Sequence, residues 1–344
     1  MTAVSDVSKT GEPAANGRVA GDEVLRVRDL HVTFDVRAGR LPAVAGVDLT
    51  LRRGEVLALV GESGSGKSAL SMALVGLNRG PRTTITGSVE FNGMDLVRAS
   101  DRELRKVRGN GIAVVFQDAL AALNPLHRAG AQVAEMITTH RAVGKDAAWN
   151  RAIELFTDVG MADPHRAVRA YPHELSGGMR QRVMIALGLA NNPDVLIADE
   201  PTTALDVTIQ AQVLEVLKEL QREHHTSIIL ITHDLGVVAE VADRIAVMYA
   251  GRIVEYGTRD QVLFDPQHPY TRGLLDVVPS LTGPVTGRLS AIPGSAVTGV
   301  ERPPGCAFAP RCRLAGPECE QPVELRQRGG EQGHLDACTK EDHR

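Results

Sequence analysis

No uninterrupted apolar run in this 344-residue chain approaches the roughly eighteen residues that a membrane-spanning helix needs. The stretch Met1 to Asp22 lacks the apolar core of a secretory leader, and its Ala-, Gly-, Ser- and charge-rich composition predicts a disordered tail over residues 1–23. Basic charge is not in excess: 38 Lys and Arg stand against 42 Asp and Glu, a net charge of −4, and no basic run occurs. A nucleic-acid-binding face is therefore not indicated. Long heptad insertions and internal repeats of the motifs below are also absent. Cysteine is missing from the first 305 residues and then occurs four times, at 306, 312, 319 and 338. What remains, 43% hydrophobic, is enough for more than one packed unit. These absences predict a chain that stays in the cytosol and meets a membrane only through another protein.

The segment Gly61-Glu62-Ser63-Gly64-Ser65-Gly66-Lys67-Ser68 has the form GxxxxGK[ST] and follows the apolar run Val56–Val60. A strand leading into a glycine loop that opens a helix turns backbone N–H groups toward one centre, where a polyphosphate can sit. Lys67 would reach the β- and γ-phosphates, and the Ser68 hydroxyl would hold Mg²⁺. A nucleoside triphosphate site is expected. Downstream, Asp194–Ala198 is a strand-like run that ends in Asp199 and Glu200, a pair suited to Mg²⁺ and to an attacking water. Leu175-Ser176-Gly177-Gly178-Met179 is a second glycine-rich helix start. Two anion-ready helix starts far apart in one chain suggest that the second serves a nucleotide bound to another subunit. Thr232-His233-Asp234 closes a further apolar run, Ser227–Ile231.

In order and spacing these motifs resemble an ABC transporter ATP-binding subunit over roughly residues 24–258. The run Leu175–Ala186 is similar to the oligopeptide/dipeptide importer branch, which nickel and other solute importers share. The resemblance implies an α/β fold, the ABC-type P-loop NTPase cassette: a RecA-like core, an antiparallel β subdomain and a helical subdomain at about 119–180. Gln117 would contact Mg²⁺ and the nucleophilic water, Glu200 would be the general base and His233 the γ-phosphate sensor. Phe34, in the run Leu30–Phe34, reads by itself as a strand core residue; it also aligns loosely with the aromatic that stacks on adenine in the family. Gly61, Ser63, Gly64, Ser65, Gly66, Lys67, Ser68 and Asp199 would bind the chain's own ATP. Ser176, Gly177, Gly178 and the D-loop Asp206 would face a partner's nucleotide. Implied partners are a second, similar or identical ATPase, two transmembrane permeases and an extracytoplasmic peptide-binding protein. The implied place is the cytoplasmic face of the membrane.

From residue 259 to 344 the composition shifts. His268-Pro269-Tyr270-Thr271 resembles the segment that follows the cassette in peptide-importer ATPases, though a proline-bounded helix start would read the same. Residues 279–305, rich in Pro and Gly, read as a loop. For the four cysteines, a cytosolic setting favours metal over disulfides. No close Cys-x2–4-Cys pair of the structural-zinc kind exists, whereas four thiolates on looser loops can bind an iron–sulfur cluster. The run Cys306–Cys312 resembles the peptide-importer branch, in which some members carry a 4Fe-4S cluster; the resemblance implies one on Cys306, Cys312, Cys319 and Cys338, with zinc, or free or disulfide-forming cysteines, as the alternatives. His334 is expected to be solvated, with a lesser prospect as a substitute ligand.

Overall fold

The computed structural model describes residues 23–202, 207–277, 292–327 and 333–340. The N-terminal tail to Asp22, Asp206 and the 279–291 part of the 279–305 loop lie outside them. Twelve strands are present among the described residues: β1 (Glu23–Val36), β2 (Gly39–Arg52), β3 (Val56–Val60), β4 (Thr83–Phe91), β5 (Met94–Asp95), β6 (Ile112–Val115), β7 (Val195–Asp199), β8 (Ser227–Thr232), β9 (Arg244–Tyr249), β10 (Arg252–Thr258), β11 (Arg326–Gln327) and β12 (Leu335–Asp336). They form two sheets. One is antiparallel, in the order β2-β1-β4-β5; the other runs β11-β12-β10-β9-β3-β8-β7-β6.

The second sheet is parallel from β9 to β6. Its inner strands are buried at every residue and apolar except at their ends: VLALV in β3, VLIAD in β7 and SIILIT in β8. Such unbroken runs suit a sheet covered on both faces. Each buried Leu, Ile or Val stabilises the fold by about 1.5–3 kcal/mol relative to exposure. A two-residue turn joins β9 to β10, with Ala250 at φ 47° and Gly251 at φ 84°. Positive φ at both positions is what a type I′ hairpin requires.

Between Gln117 and the second glycine-rich motif stand the helices Ala129–His140 and Lys145–Asp158, and the motif itself opens the helix Gly177–Leu189. Their buried faces share one core with β6, β7 and the helix Val207–His224, which contributes Val213 and Leu217. The C-terminal extension does not stand apart. Strand β12 pairs with β10, so the tail extends the central sheet. Tyr249 of β9 packs against Tyr270 and Phe308 of the extension, at ring-centroid distances of 4.6 and 5.4 Å.

This pairing corrects the reading of His334. It is buried, not solvated, and its Nε2 lies 2.8 Å from Glu255 Oε1, a carboxylate with no exposed surface. Glu255 also accepts the backbone N–H groups of Gln267 and His268 at 2.7 and 2.9 Å. A buried carboxylate is tolerable when hydrogen-bonded this fully.

Candidate functional site

The parallel strands deliver the predicted residues to one edge of the sheet. β3 ends in the glycine loop, β8 leads to His233, β7 ends at Asp199 and Glu200, and β6 leads to Gln117. Ligands of open α/β sheets bind at the carboxyl ends of strands. Here a cavity of about 1130 Å³ is lined by Gly61–Gly64, Gly66–Ala69, Gln117, Glu200 and His233.

Two loop glycines are dictated by close backbone approach. A Cβ on Gly61 (φ 155°) would lie 2.2 Å from Met248 O, and one on Gly66 (φ 110°) 2.3 Å from Ala43 O. The hairpin turn secures the loop from the side, Gly251 N–H donating to Ser65 O at 2.8 Å. Lys67 opens the helix Lys67–Leu74 and is itself buried; its Nζ donates to Gly61 O at 2.7 Å and Glu62 O at 2.9 Å. Burial pushes its pKa down, against the pull of Glu200, Asp199 and Glu62. Burial pushes the Asp199 carboxyl up, opposed by a hydrogen bond from Ser68. Ser68 and Asp199 are therefore neighbours, as a shared Mg²⁺ site requires; their hard oxygens suit that ion. The metal would neutralise phosphate charge.

Glu200 lies between two partners. Gln117 Nε2 donates to its Oε2 at 2.7 Å, and His233 Nδ1 lies 3.2 Å from its Oε1. Its backbone is left-handed (φ 48°), unusual for a residue with a side chain, and Glu200 N–H donates to Ile231 O at 2.8 Å. Holding such a conformation costs about 1–3 kcal/mol, which the surrounding structure must offset. The carboxylate is thus aimed into the cavity from a sharp bend at the end of β7.

The second glycine-rich motif lies elsewhere. Ser176 caps the helix Gly177–Leu189 by accepting Met179 N–H at 3.3 Å. With Gly178, Met179 and Arg182 it lines a separate cavity of about 1060 Å³ that shares no residue with the first. Gly178 has a packing reason as well, since a Cβ there would lie 2.7 Å from Ile209 Cγ2. Phe34 is not brought to the phosphate cavity. It pairs with Leu41 and Thr83 in the antiparallel sheet and packs, half-buried, on that sheet's core.

The four cysteines do converge. Cys306, Cys312, Cys319 and Cys338 line one small cavity of about 10 Å³, and none is disulfide-bonded. Yet among the described residues no three His, Cys, Asp or Glu side chains are grouped so that they could hold a metal ion. The formed metal site expected from the tail is not found. Burial pushes the Cys306 and Cys312 thiols up, which favours neutral sulfurs packed as small apolar groups. Sequence reasoning missed Tyr270 and Arg311, which reach the phosphate loop from the extension. Only the His268-Pro269-Tyr270 motif gave a signal.

Comparison with known proteins agrees with this geometry. The family described as "ABC transporter" matches residues 44–203, and "Oligopeptide/dipeptide transporter, C-terminal region" matches residues 254–319. The chain is 52% identical over 293 residues to the oligopeptide transport ATP-binding protein OppD of Bacillus subtilis, covering 85% of this chain and 82% of that one. It is 47% identical over 325 residues to the dipeptide transport ATP-binding protein DppD of the same organism, covering 94% and 96%. A dimeric post-hydrolysis structure of the ATP-binding cassette MJ0796, bound to ADP and Pi, superposes with a TM-score of 0.62 at 29% identity. That match covers 68% of this chain and 98% of the other.

Proposed function

This chain belongs to the ABC transporter family, among the ATP-binding subunits of oligopeptide and dipeptide importers, and from that premise we propose how its residues divide the work. It is an ATPase whose hydrolysis powers import, acting with membrane permeases and as part of a dimeric ATPase. No helix among the described residues is long and apolar enough to cross a membrane, so attachment at the cytoplasmic face runs through the permeases. Lys67 and the loop N–H groups bind the β- and γ-phosphates. Ser68, Asp199 and Gln117 hold Mg²⁺, Glu200 takes a proton from the attacking water, and His233 senses the γ-phosphate. Ser176, Gly177 and Gly178, with Asp206, complete the site of the second ATPase. The carrying observation is Glu200 held between Gln117 and His233 at the mouth of the phosphate loop.

The cargo is a dipeptide or oligopeptide delivered by an extracytoplasmic binding protein; nickel or another solute of the same branch is the second reading. The complex, purified with its permeases and embedded in liposomes, tests this. Binding protein loaded with peptide is expected to accelerate ATP hydrolysis and to drive peptide uptake. Acceleration only by nickel-loaded binding protein would move the assignment to the second reading, and no response to either would remove both.

For the tail, the finer reading is a 4Fe-4S cluster held by Cys306, Cys312, Cys319 and Cys338, with zinc as the alternative. The convergence of four thiols on one cavity supports it, although closing on a cluster requires the sulfurs to shift from their present packing. The role would be structural: metal–thiolate bonds would tie the loops of the extension together. Protein purified without oxygen is expected to carry about four irons and four sulfides per chain, lost on Cys312→Ser while ATP binding persists. Stoichiometric zinc without iron would select the alternative, and metal-free protein with full transport would discard both.

A further inference from the structure

A glutamate inside a phosphate-binding loop is electrostatically misplaced, because its charge opposes that of the triphosphate. Glu62 is such a residue, and the C-terminal extension answers it. Arg311, almost fully buried, donates Nη1 to Glu62 Oε2 at 2.6 Å and Nη2 to Glu62 Oε1 at 3.0 Å, a two-pronged pair. The Glu62 backbone N–H donates to Tyr270 Oη at 2.7 Å. Its carbonyl receives Lys67 Nζ at 2.9 Å. One loop residue is thus fixed through its amide, its carbonyl and its carboxylate, and two of the three anchors come from outside the cassette.

Both anchors are themselves firmly set. Arg311 Nε donates to Pro293 O at 2.8 Å, and its pKa is raised by the bond to Glu62. Tyr270 has no exposed surface and follows His268, whose backbone is tied to Glu255. The extension also leans on the crest of the loop: a Cβ on Gly64 would lie 2.9 Å from Thr298 Cγ2. Ile292 and Ala296 line the phosphate cavity.

We infer that the C-terminal extension is a built-in part of the nucleotide site, with Arg311 as the positioning residue that neutralises Glu62 and Tyr270 as the one that fixes its backbone. This inference rests on the ATPase reading above. Its consequence has a definite sign. Without Arg311, the freed Glu62 carboxylate repels the phosphates, and removing that carboxylate restores binding. A scaffold that had simply lost a buttress would not recover in this way.

The test is ATP affinity and the KM–kcat split of the full chain in its assembled complex. Arg311→Ala is expected to weaken MgATP binding about tenfold, most of the loss appearing in KM, because truncating one partner strands the other charge. Arg311→Lys, which keeps the charge, should lose about threefold or less. The double variant Arg311→Ala/Glu62→Gln should return to within about threefold of the unmodified protein. Arg311→Gln replaces the alanine variant in the same comparison if the latter does not fold. Unchanged affinity in a folded, charge-free Arg311 variant, or a double variant as weak as the single one, overturns the inference. Unmodified protein that fails to bind MgATP would instead strike at the ATPase reading itself.

Discussion

Glu200→Gln is expected to lower the rate of ATP hydrolysis by about 10²–10⁴-fold, the usual cost of losing a positioned general base. Binding should survive, because the glycine loop and Lys67 are untouched. Glutamine keeps the size of the side chain and can still accept from Gln117 Nε2, so the geometry at the end of β7 should hold. What disappears is the proton acceptor facing the water. The variant should accumulate with ATP uncleaved and with its dimer closed. Single-turnover hydrolysis by the assembled complex measures this directly, and near-normal turnover would remove Glu200 from the assigned role.

Ser176→Arg is expected to abolish coupled activity by a different route. The isolated chain should keep its nucleotide affinity, since the cavity lined by Ser176 shares no residue with the phosphate cavity. In the assembled importer, a bulky cation on the surface that meets the partner's nucleotide blocks closure. ATPase activity and transport should both fall by at least about 10²-fold, comparable to losing a donor that stabilises transition-state charge. The lost cap on the helix Gly177–Leu189 costs only about 1 kcal/mol of stability. A melting curve separates that small effect from the functional one. A large drop in affinity of the isolated chain would place the motif in its own chain's site.

Much of the catalytic edge was legible in the sequence because each parallel strand is a short all-apolar run ending in a polar motif. Val56–Val60, Ile112–Val115, Val195–Asp199 and Ser227–Thr232 adopt the expected form, as does the 250–251 hairpin. The long strands β1 and β2 were harder to read. Their pairing slips at Val27–Leu30 and again at Val32–Thr33, so burial does not alternate cleanly, and Asp29 sits at φ 44° in the irregular stretch. Phe34 falls in that region; it takes the strand-core place that its own run suggests, and the loose alignment with an adenine-stacking aromatic is not tested by its position. The reach of the extension was invisible for another reason. Arg311 and Glu62 are 249 residues apart, and Glu255 and His334 are 79 apart. No local pattern encodes such pairs; they exist only once β12 has joined β10 and the aromatic cluster has closed. The four cysteines line one cavity, but the metal site expected of them is not found among the described residues, because which sulfurs meet, and at what distance, depends on how the loops of the extension pack.

The central claim is that ATP is held between two subunits, one supplying the Lys67 loop and the other the Ser176 helix start. Sedimentation of Glu200→Gln protein with and without MgATP, alone and mixed with the second ATPase of its importer, tests it most directly. The expected result is separate subunits without nucleotide, a dimer with ATP, and no dimer when Ser176→Arg is added to both subunits. Subunits that stay apart at saturating ATP in both mixtures, or a dimer indifferent to Ser176→Arg, would contradict the claim.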